Sequence, residues 1–220
     1  MDYPIEYLIY YSLLARAFVK KINGSENIPK NKPFIAAANH SSYLDDALLP
    51  CTVFTCTKKD FRIFINSRFY KNFFIRAFLN HYDQIPVDVS KDVKGKKQKK
   101  KINIMAFEKA LQTLKEGKIF LIFPEGSRSE DGNLKKAKTG AARIALYSKV
   151  PVVPIGIIGT YKILPKGKLF PRFGRATINI GKPMTFEHFS KKPITKKILE
   201  EVTAMIMKEI ARLSGQRYKG

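Results

Sequence analysis

The chain has 220 residues, of which 41 are Lys or Arg and 18 are Asp or Glu, so its formal net charge at pH 7 is +23. This length suits one α/β domain rather than two full ones, and an apolar share of 45% excludes a largely disordered chain. A chain this basic is expected to bind an anionic partner. The candidates are nucleic acid, an anionic membrane surface, and an acidic carrier or substrate.

The cysteines and histidines argue against a disulfide framework and against a zinc site. The chain has two cysteines, Cys51 and Cys56, and its three histidines, His40, His81 and His188, are scattered. A disulfide framework needs more cysteines, and a zinc site needs ligands grouped at short spacing. We therefore predict reduced thiols, no metal site, and a location in the cytosol or on the cytosolic face of a membrane.

Residues 1–21 are predicted to form an amphipathic, membrane-associating helix. The apolar stretch is too short to cross a bilayer, which takes about 20 apolar residues, and the segment has no signal-peptide pattern. It has an apolar stripe followed by basic residues, namely Leu8, Tyr11, Ala15, Phe18, Lys20 and Lys21. A first helix packed on the core fits the same periodicity equally well. The predicted division is an interfacial helix, 1–21, and one domain, 22–220.

From residue 33 onward, short apolar runs alternate with helical periodicity, which predicts an α/β fold with a mostly parallel sheet flanked by helices. The predicted strands are 34–38, 61–65, 85–89, 118–123, 150–158 and 176–180. Helical patterns start at Ser42 and cover 68–79, 104–114, 137–147 and 198–213. Two prolines favour an edge or site-lining position for 150–158. The segment 91–101, with seven lysines and one aspartate, is predicted to be a solvated loop.

A histidine and an aspartate follow the first predicted buried strand. If a helix begins at Ser42, Asp45 lies in its first turn and can reach back to one nitrogen of the His40 imidazole. The other nitrogen would then accept a proton as a general base, with no protein nucleophile beside it. Ser42 and Asp45 also have the spacing of a capping arrangement, in which Asp45 serves only the helix N-terminus.

A second group of polar residues, in the sequence Phe-Pro-Glu-Gly-Ser-Arg-Ser, follows the predicted strand 118–123. Ligands of open α/β sheets bind beyond the carboxyl ends of the strands. Gly126 allows close backbone approach, Arg128 can hold a phosphate with its planar fork, and Ser127 adds a donor. Glu125 suits such a site if it pairs with Arg128 or accepts hydrogen bonds from substrate hydroxyls. The alternative is a surface turn closed by a Glu125–Arg128 ion pair.

These blocks together resemble the glycerolipid acyltransferase family. The resemblance rests on His-x4-Asp at His40 and Asp45, on Phe123–Ser129 and on Val150–Gly156, in this order and spacing, with Lys-Thr-Gly-Ala at 138–141 as a further match. It runs from about Asn23 to Gly181.

The resemblance implies transfer of an acyl chain from acyl-CoA or acyl carrier protein to the free hydroxyl of a lysophospholipid, with 1-acyl-sn-glycerol 3-phosphate as the expected acceptor. His40 would deprotonate that hydroxyl and Asp45 would orient His40. The acceptor would be bound by Glu125, Gly126, Ser127 and Arg128. The family implies no metal and no cofactor apart from the acyl donor, and the chain shows no Gly-x-Ser-x-Gly nucleophile motif.

The chain departs from the family pattern at one position. The run Gln84–Val89 ends in valine where the family usually has an arginine that contacts the acceptor phosphate. Either Lys91 or another lysine of the basic segment compensates, or the acceptor differs from lysophosphatidate.

Two other functions compete with the acyltransferase. The charge alone favours a nucleic-acid-binding protein, but the sequence has neither a helix-turn-helix signature nor a basic–aromatic RNP strand. A scaffold with a degenerate site is disfavoured by the intact His40, Asp45 and Glu125–Arg128 block. We therefore expect an anionic membrane surface, a lysophospholipid and an acyl donor as partners, no nucleic acid, and a peripheral or monotopic protein on the cytosolic face of the cell membrane.

Overall fold

Seven strands form a single sheet at the centre of the protein. A computed structural model describes residues 13, 17–89, 96–189 and 192–219. The strands are β1 (Val19–Asn23), β2 (Ile35–Ala38), β3 (Phe61–Asn66), β4 (Ile85–Val87), β5 (Ile119–Ile122), β6 (Val152–Ile158) and β7 (Ala176–Ile180). Their order is β1-β7-β6-β2-β5-β3-β4. All neighbours are parallel except β6 and β7, which confirms the predicted mostly parallel α/β sheet.

Helices cover both faces of this sheet. The α-helices are α1 (Asp45–Thr57), α2 (Phe73–His81), α3 (Lys96–Lys115), α4 (Gly140–Ser148), α5 (Thr160–Ile163) and α6 (Lys196–Ser214), and 3₁₀ turns occur at Ser25–Asn27, Ser67–Lys71 and Glu187–Phe189. The predicted helix 68–79 is split because the Asn72 side chain accepts a hydrogen bond from the Ile75 N–H (3.1 Å) and starts α2. No helix in the described part of the chain is long and apolar enough to cross a membrane.

The core has two halves, one on each face of the sheet. In β2, Ala36 and Ala38 face the half that α1 covers, whereas Ile35 and Ala37 face the half under α3, α4 and α6. Successive side chains of a strand point to opposite faces, so a strand covered on both faces must be apolar throughout. That requirement produces the continuous apolar runs from which the strands were predicted.

The strand β6 is central, so the predicted edge position was wrong. It lies between β7 and β2 although it contains Pro154. The N and C=O of one residue point to the same side of a strand, and the Pro154 carbonyl accepts from the Gly181 N–H at 2.9 Å. The position where the proline lacks an N–H therefore faces Gly181, the first residue after β7. The other side of Pro154 faces β2, so the hydrogen bonds between β6 and β2 lose no donor.

The basic segment was also assigned incorrectly, because Lys96–Lys101 are the first turns of α3 and not a loop. Residues 91–95 lie outside the described part of the chain. Lysine is a good helix former, so a run of lysines does not by itself exclude a helix.

Most of the predicted N-terminal helix, residues 1–12 and 14–16, lies outside the described residues. Leu13, Ala17 and Phe18 are helical. Lys20 and Lys21 belong to β1, which pairs in parallel with β7. The predicted helix therefore ends before Val19, and the predicted boundary after residue 21 falls inside a strand. The pairing partner is more than 150 residues away, so local periodicity could not show it.

Candidate active site

His40 and Asp45 meet at the carboxyl-terminal edge of the sheet, between β2 and α1. The His40 Nδ1 lies 3.2 Å from the Asp45 Oδ2. The same carboxylate oxygen accepts the N–H groups of Ser41 (2.6 Å) and Ser42 (2.7 Å). Asp45 is fully buried and His40 nearly so. The two sequence interpretations are therefore compatible, since Asp45 holds the turn that leads into α1 and also contacts the imidazole.

Ser42 does not complete the capping box with Asp45. Its hydroxyl accepts the Leu44 N–H at 3.0 Å and donates to the Leu164 carbonyl at 2.6 Å. The hydroxyl thus connects the turn beside His40 to the segment that follows α5.

A second carboxylate, Asp46, lies on the other side of the imidazole. Its Oδ1 is 3.5 Å from the His40 Nε2, and its Oδ2 is 3.5 Å from the Arg128 Nη1. Sequence reasoning missed this residue. Its position directly after Asp45, in the first turn of α1, could have indicated it. Successive side chains of a helix point in directions about 100° apart, so two adjacent residues can reach opposite edges of one imidazole ring.

Glu125 is buried behind the site and holds two loops together. Its Oε1 accepts the His40 N–H at 2.7 Å, and its Oε2 accepts the Lys135 N–H at 2.8 Å. Burial raises the pKa of Glu125 to about 7, although these two hydrogen bonds act in the opposite direction. The alternative of a Glu125–Arg128 ion pair is wrong, because Arg128 pairs with Asp46. The carboxylate is occupied by backbone donors and does not line the cavity described below.

The loop after β5 is connected directly to His40. The Ser129 N–H donates to the His40 carbonyl at 2.8 Å, and the Phe123 ring stacks on the imidazole with 4.0 Å between centroids. Gly126 adopts a left-handed conformation with φ of +70°, and a Cβ there would lie 3.1 Å from the Lys138 Cδ. The absence of a side chain at Gly126 thus lets Lys138 pack across the loop.

Arg128 and Ser127 lie at the surface of the site. The Arg128 guanidinium lies over the Tyr43 ring, 3.6 Å from its centroid, in an arrangement that fixes the plane of its fork. The Ser127 hydroxyl accepts a hydrogen bond from the Lys135 ammonium at 2.6 Å. Gly126, Ser127 and Arg128 all line one cavity together with His40 and Asp46.

This cavity has a volume of about 1170 Å³ and extends from His40 between the sheet, α2 and α3. Much of its wall is aliphatic and aromatic, with Phe64, Ile65, Phe69, Ile75, Phe78, Val87, Ile104, Phe107, Ile122 and Ile144. Cations also line it, namely Arg68, Lys99, Lys100, Arg128, Lys138, Arg143 and Lys166. A wall of this kind suits a ligand with a long apolar part and an anionic group.

Lys138 packs against the loop after β5, beside Gly126. Burial lowers the pKa of Lys138, and repulsion by Lys99 and Lys135 lowers it further. Within the described ranges of the chain, no carboxylate forms an ion pair with its ammonium group. An anion bound beside Gly126 would relieve this repulsion.

Residues 20–158 match the sequence model of the family described as Acyltransferase. The chain belongs to this acyltransferase family. Among its relatives, the 1-acyl-sn-glycerol-3-phosphate acyltransferase of Bacillus subtilis is 28% identical over 89% of this chain and 88% of the relative. The enzyme of that name from Saccharomyces cerevisiae is 31% identical over 79% of this chain.

The relatives differ in length. The chain spans 54% of the yeast enzyme, and 45% of the chloroplastic LPAT1 enzyme of Arabidopsis thaliana, to which it is 29% identical. The crystal structure of the 1-acyl-sn-glycerophosphate (LPA) acyltransferase of Thermotoga maritima superimposes with a TM-score of 0.69 and 26% identity, over 98% of this chain and 81% of that one. These matches confirm the predicted acyltransferase family.

Val89 lines the cavity, so the family's missing arginine would have been at its wall. The neighbouring backbone is held in place, because the Asn103 side chain accepts the Asp88 N–H at 2.9 Å and donates to the Asp88 carbonyl at 3.1 Å. Lys91, one possible replacement for this arginine, lies outside the described residues. Lys138 and Arg143 are cations that do line the cavity.

Proposed function

We propose that this protein transfers a fatty acyl chain from an acyl thioester to the free hydroxyl of 1-acyl-sn-glycerol 3-phosphate, which yields phosphatidic acid. The observation that carries the proposal is the His40–Asp45 contact of 3.2 Å at one end of a large, mostly apolar cavity. The printed names of the relatives from Bacillus subtilis and Thermotoga maritima support this choice of acceptor.

In the proposed reaction His40 acts as a general base through Nε2, the nitrogen that is not in contact with Asp45. The acceptor hydroxyl gives its proton to Nε2 while its oxygen attacks the thioester carbonyl carbon. The tetrahedral intermediate then collapses, the C–S bond breaks, and the proton passes from His40 to the departing thiolate. Asp45 orients the ring and stabilises the imidazolium through Nδ1. No acyl-enzyme forms, and no cofactor is needed apart from the acyl donor.

The acceptor phosphate is proposed to bind beside the loop after β5. The Arg128 guanidinium offers a fork for two phosphate oxygens, and the Arg128–Asp46 contact of 3.5 Å is long enough to be exchanged for a stronger one. Ser127 and the backbone at Gly126 complete this subsite. Lys138 supplies a second cation, which takes the place of the arginine replaced by Val89. Glu125 acts from behind the loop, through the His40 and Lys135 N–H groups, and not by direct contact.

The apolar part of the cavity is proposed to receive an acyl chain. Side chains from β3, α2 and α3 form its wall, and several of them are aromatic. The donor is acyl-CoA or acyl carrier protein, and either donor is anionic, which suits a chain with a net charge of +23. Because the acceptor is a membrane lipid, we propose that the protein works at an anionic bilayer, as a peripheral or monotopic protein on the cytosolic face of the cell membrane.

The direct test offers purified protein a panel of lysolipids with acyl-CoA and acyl carrier protein in turn, and identifies products by mass spectrometry. Phosphatidic acid is expected from 1-acyl-sn-glycerol 3-phosphate, and His40→Ala serves as the matched control. If a different lysolipid is acylated, the reaction type stands and Val89 becomes the first residue to test for acceptor choice. If no lysolipid is acylated with either donor, the proposal is wrong.

A further inference from the structure

One exposed loop, residues 166–175, has a composition that is unusual for a protein surface. Its Leu169, Phe170 and Phe173 are 88%, 84% and 110% exposed. The same ten residues include Lys166, Lys168, Arg172 and Arg175, and the sequence has no acidic residue from Gly132 to Phe186. Nearly complete exposure of three large apolar side chains is unfavourable in water, so such a surface indicates a partner that covers it.

The base of this loop is attached to the catalytic turn. The Ser42 hydroxyl donates to the Leu164 carbonyl at 2.6 Å, and Ser42 forms an antiparallel bridge with Pro165. The Arg172 N–H closes the loop by donating to the Ile163 carbonyl at 2.8 Å. The exposed apolar side chains therefore follow directly from a segment that contacts Ser42, two residues after His40.

A second apolar surface lies at the same edge of the sheet. Phe73, Phe74 and Phe78 of α2 are 66%, 79% and 60% exposed, and Arg76 lies over the Phe73 ring. This helix follows the carboxyl end of β3, the 166–175 loop follows the carboxyl end of β6, and these two strands are parallel members of one sheet. Phe78 and Lys166 both line the cavity that contains His40.

We propose that α2 and the 166–175 loop form one docking face for an anionic lipid bilayer, with Leu169, Phe170 and Phe173 inserted among the lipid headgroups and acyl chains. A bilayer offers apolar volume and negative charge side by side over a plane wide enough to cover both surfaces. An acidic carrier protein matches the cations but not the three apolar side chains. The docked face places the mouth of the cavity against the lipid, and this consequence rests on the proposed function.

The first experiment measures binding to vesicles that contain anionic phosphatidylglycerol in neutral phosphatidylcholine, with a variant carrying Leu169→Ser, Phe170→Ser and Phe173→Ser. We expect affinity to fall at least about tenfold, since each large apolar side chain loses its burial in lipid. A pair of changes in α2, Phe73→Ser with Phe74→Ser, should weaken binding in the same direction. Tyr147→Ser is the control, because Tyr147 is 56% exposed at the carboxyl end of α4, outside both surfaces.

Charge is tested with a matched pair of reversals. Lys168→Glu with Arg172→Glu should weaken binding to the anionic vesicles about tenfold or more, whereas Lys196→Glu with Lys197→Glu at the start of α6 should change it less. Insertion is tested with an environment-sensitive fluorophore on Phe170→Cys in a Cys56→Ser background. Its emission should shift to the blue on adding vesicles, and the same label on Tyr147→Cys should not respond.

A third experiment separates this inference from the proposed function. It measures acyltransferase activity on a short-chain lysophosphatidate, dissolved below its critical micelle concentration, and on the same type of acceptor in vesicles. The triple loop variant should keep the wild-type rate on this dissolved acceptor and lose rate on vesicles. If wild-type protein acylates neither acceptor, the proposed function fails while the vesicle measurements still decide the docking face. Wild-type vesicle affinity in the triple variant would overturn the inference, as would a loss of binding to acyl carrier protein in that variant with vesicle binding unchanged.

Discussion

His40 is held by five residues from two segments of the chain, the start of α1 and residues 123–129. Its Nδ1 contacts Asp45, its Nε2 is near Asp46, and its ring lies on Phe123. Its backbone N–H and C=O are both engaged, by Glu125 and by the Ser129 N–H. An imidazole fixed in this way cannot rotate freely, so the position of Nε2 relative to a bound acceptor is set before the acceptor arrives.

The catalytic prediction concerns the two members of the dyad. A positioned general base contributes about 10²–10⁴ in rate, so His40→Ala should lower kcat by at least about 100-fold. Asp45→Asn should cause a loss of similar size, because a neutral amide can keep the Ser41 and Ser42 hydrogen bonds but cannot stabilise the imidazolium. Steady-state kinetics would measure both, with thermal melting as the check on folding. Near-normal turnover in folded His40→Ala would contradict the mechanism.

The acceptor prediction concerns Arg128. Lysine keeps the charge but lacks the fork and the stacking on Tyr43, so Arg128→Lys should raise the acceptor KM. A charge-assisted hydrogen bond is worth roughly 1.5–3 kcal/mol, which corresponds to about 10- to 150-fold. Arg212→Lys, at the far end of α6, is the matched control. If the acceptor KM does not change, Arg128 is a structural partner of Asp46 and does not bind the phosphate.

At the scale of elements, the site depends on how two loops after neighbouring strands are joined. The loop after β2 carries His40 and the loop after β5 carries Arg128, and Glu125 links them through backbone N–H groups 85 and 10 residues away in sequence. Gly156 likewise allows two elements to pack closely. A Cβ at this position would collide with the Leu213 and Ser214 backbone and push α6 away from β6.

The stability prediction concerns Glu125 and its dependence on pH. Glutamine would point an amide N–H at one of the two backbone donors, so Glu125→Gln should lower the free energy of unfolding by about 1–3 kcal/mol. The pKa of Glu125 is raised from 4.5 to about 7, so between these values the folded protein holds a proton that the unfolded chain has lost. The stability contributed by Glu125 therefore falls as pH rises through this range.

The difference between wild type and Glu125→Gln should be largest near pH 4.5 and should narrow towards pH 7, because glutamine does not titrate. Urea unfolding at several pH values would measure it, with Glu108→Gln on the exposed face of α3 as control. A difference that stays constant across this range would show that burial does not perturb Glu125 in the folded protein.

The acyl-chain prediction uses two neighbours on α3. Ile104 and Met105 are both about half exposed, at 47% and 58%, but only Ile104 lines the cavity. Ile104→Trp should narrow the cavity and shift donor preference towards shorter acyl chains, and Met105→Trp should leave it unchanged. Competition between acyl donors of different length, read by mass spectrometry, would show the shift. Identical profiles for both variants would mean that the acyl chain lies elsewhere.

For the whole molecule, the net charge of +23 is the dominant property. Exposed charges are screened over a Debye length of about 8 Å at physiological salt and about 3 Å at 1 M. Binding to vesicles containing anionic lipid should therefore weaken steadily as salt rises, and neutral vesicles should bind less at low salt. Co-sedimentation across a salt series would measure this. Equal binding to both vesicle types at every salt would assign the charge to another partner, with acyl carrier protein the first to test.

The class of fold and the central pair of the candidate site could be predicted from the sequence alone. Strands that are buried on both faces must be continuously apolar. Because this requirement is local, β2, β5 and β6 could be predicted from their apolar runs. The His40–Asp45 contact was equally local, because five residues across the start of a helix bring the two side chains together. The loop after β5 lies beside His40, as predicted, because the carboxyl ends of neighbouring parallel strands meet at one edge of the sheet.

Features that depend on distant partners could not be predicted in this way and became visible only in the folded chain. The strand β1 exists because its backbone pairs with β7, and Pro154 is tolerated in a central strand because the chain near Gly181 is leaving β7. Arg128 contacts Asp46 across 82 residues, and Glu125 reaches the His40 N–H across 85. Hydrophobic periodicity shows which face of a helix or strand is covered, but it does not show which segment of the chain covers that face. The covering segment is set by packing and by backbone hydrogen bonds between segments far apart in the chain.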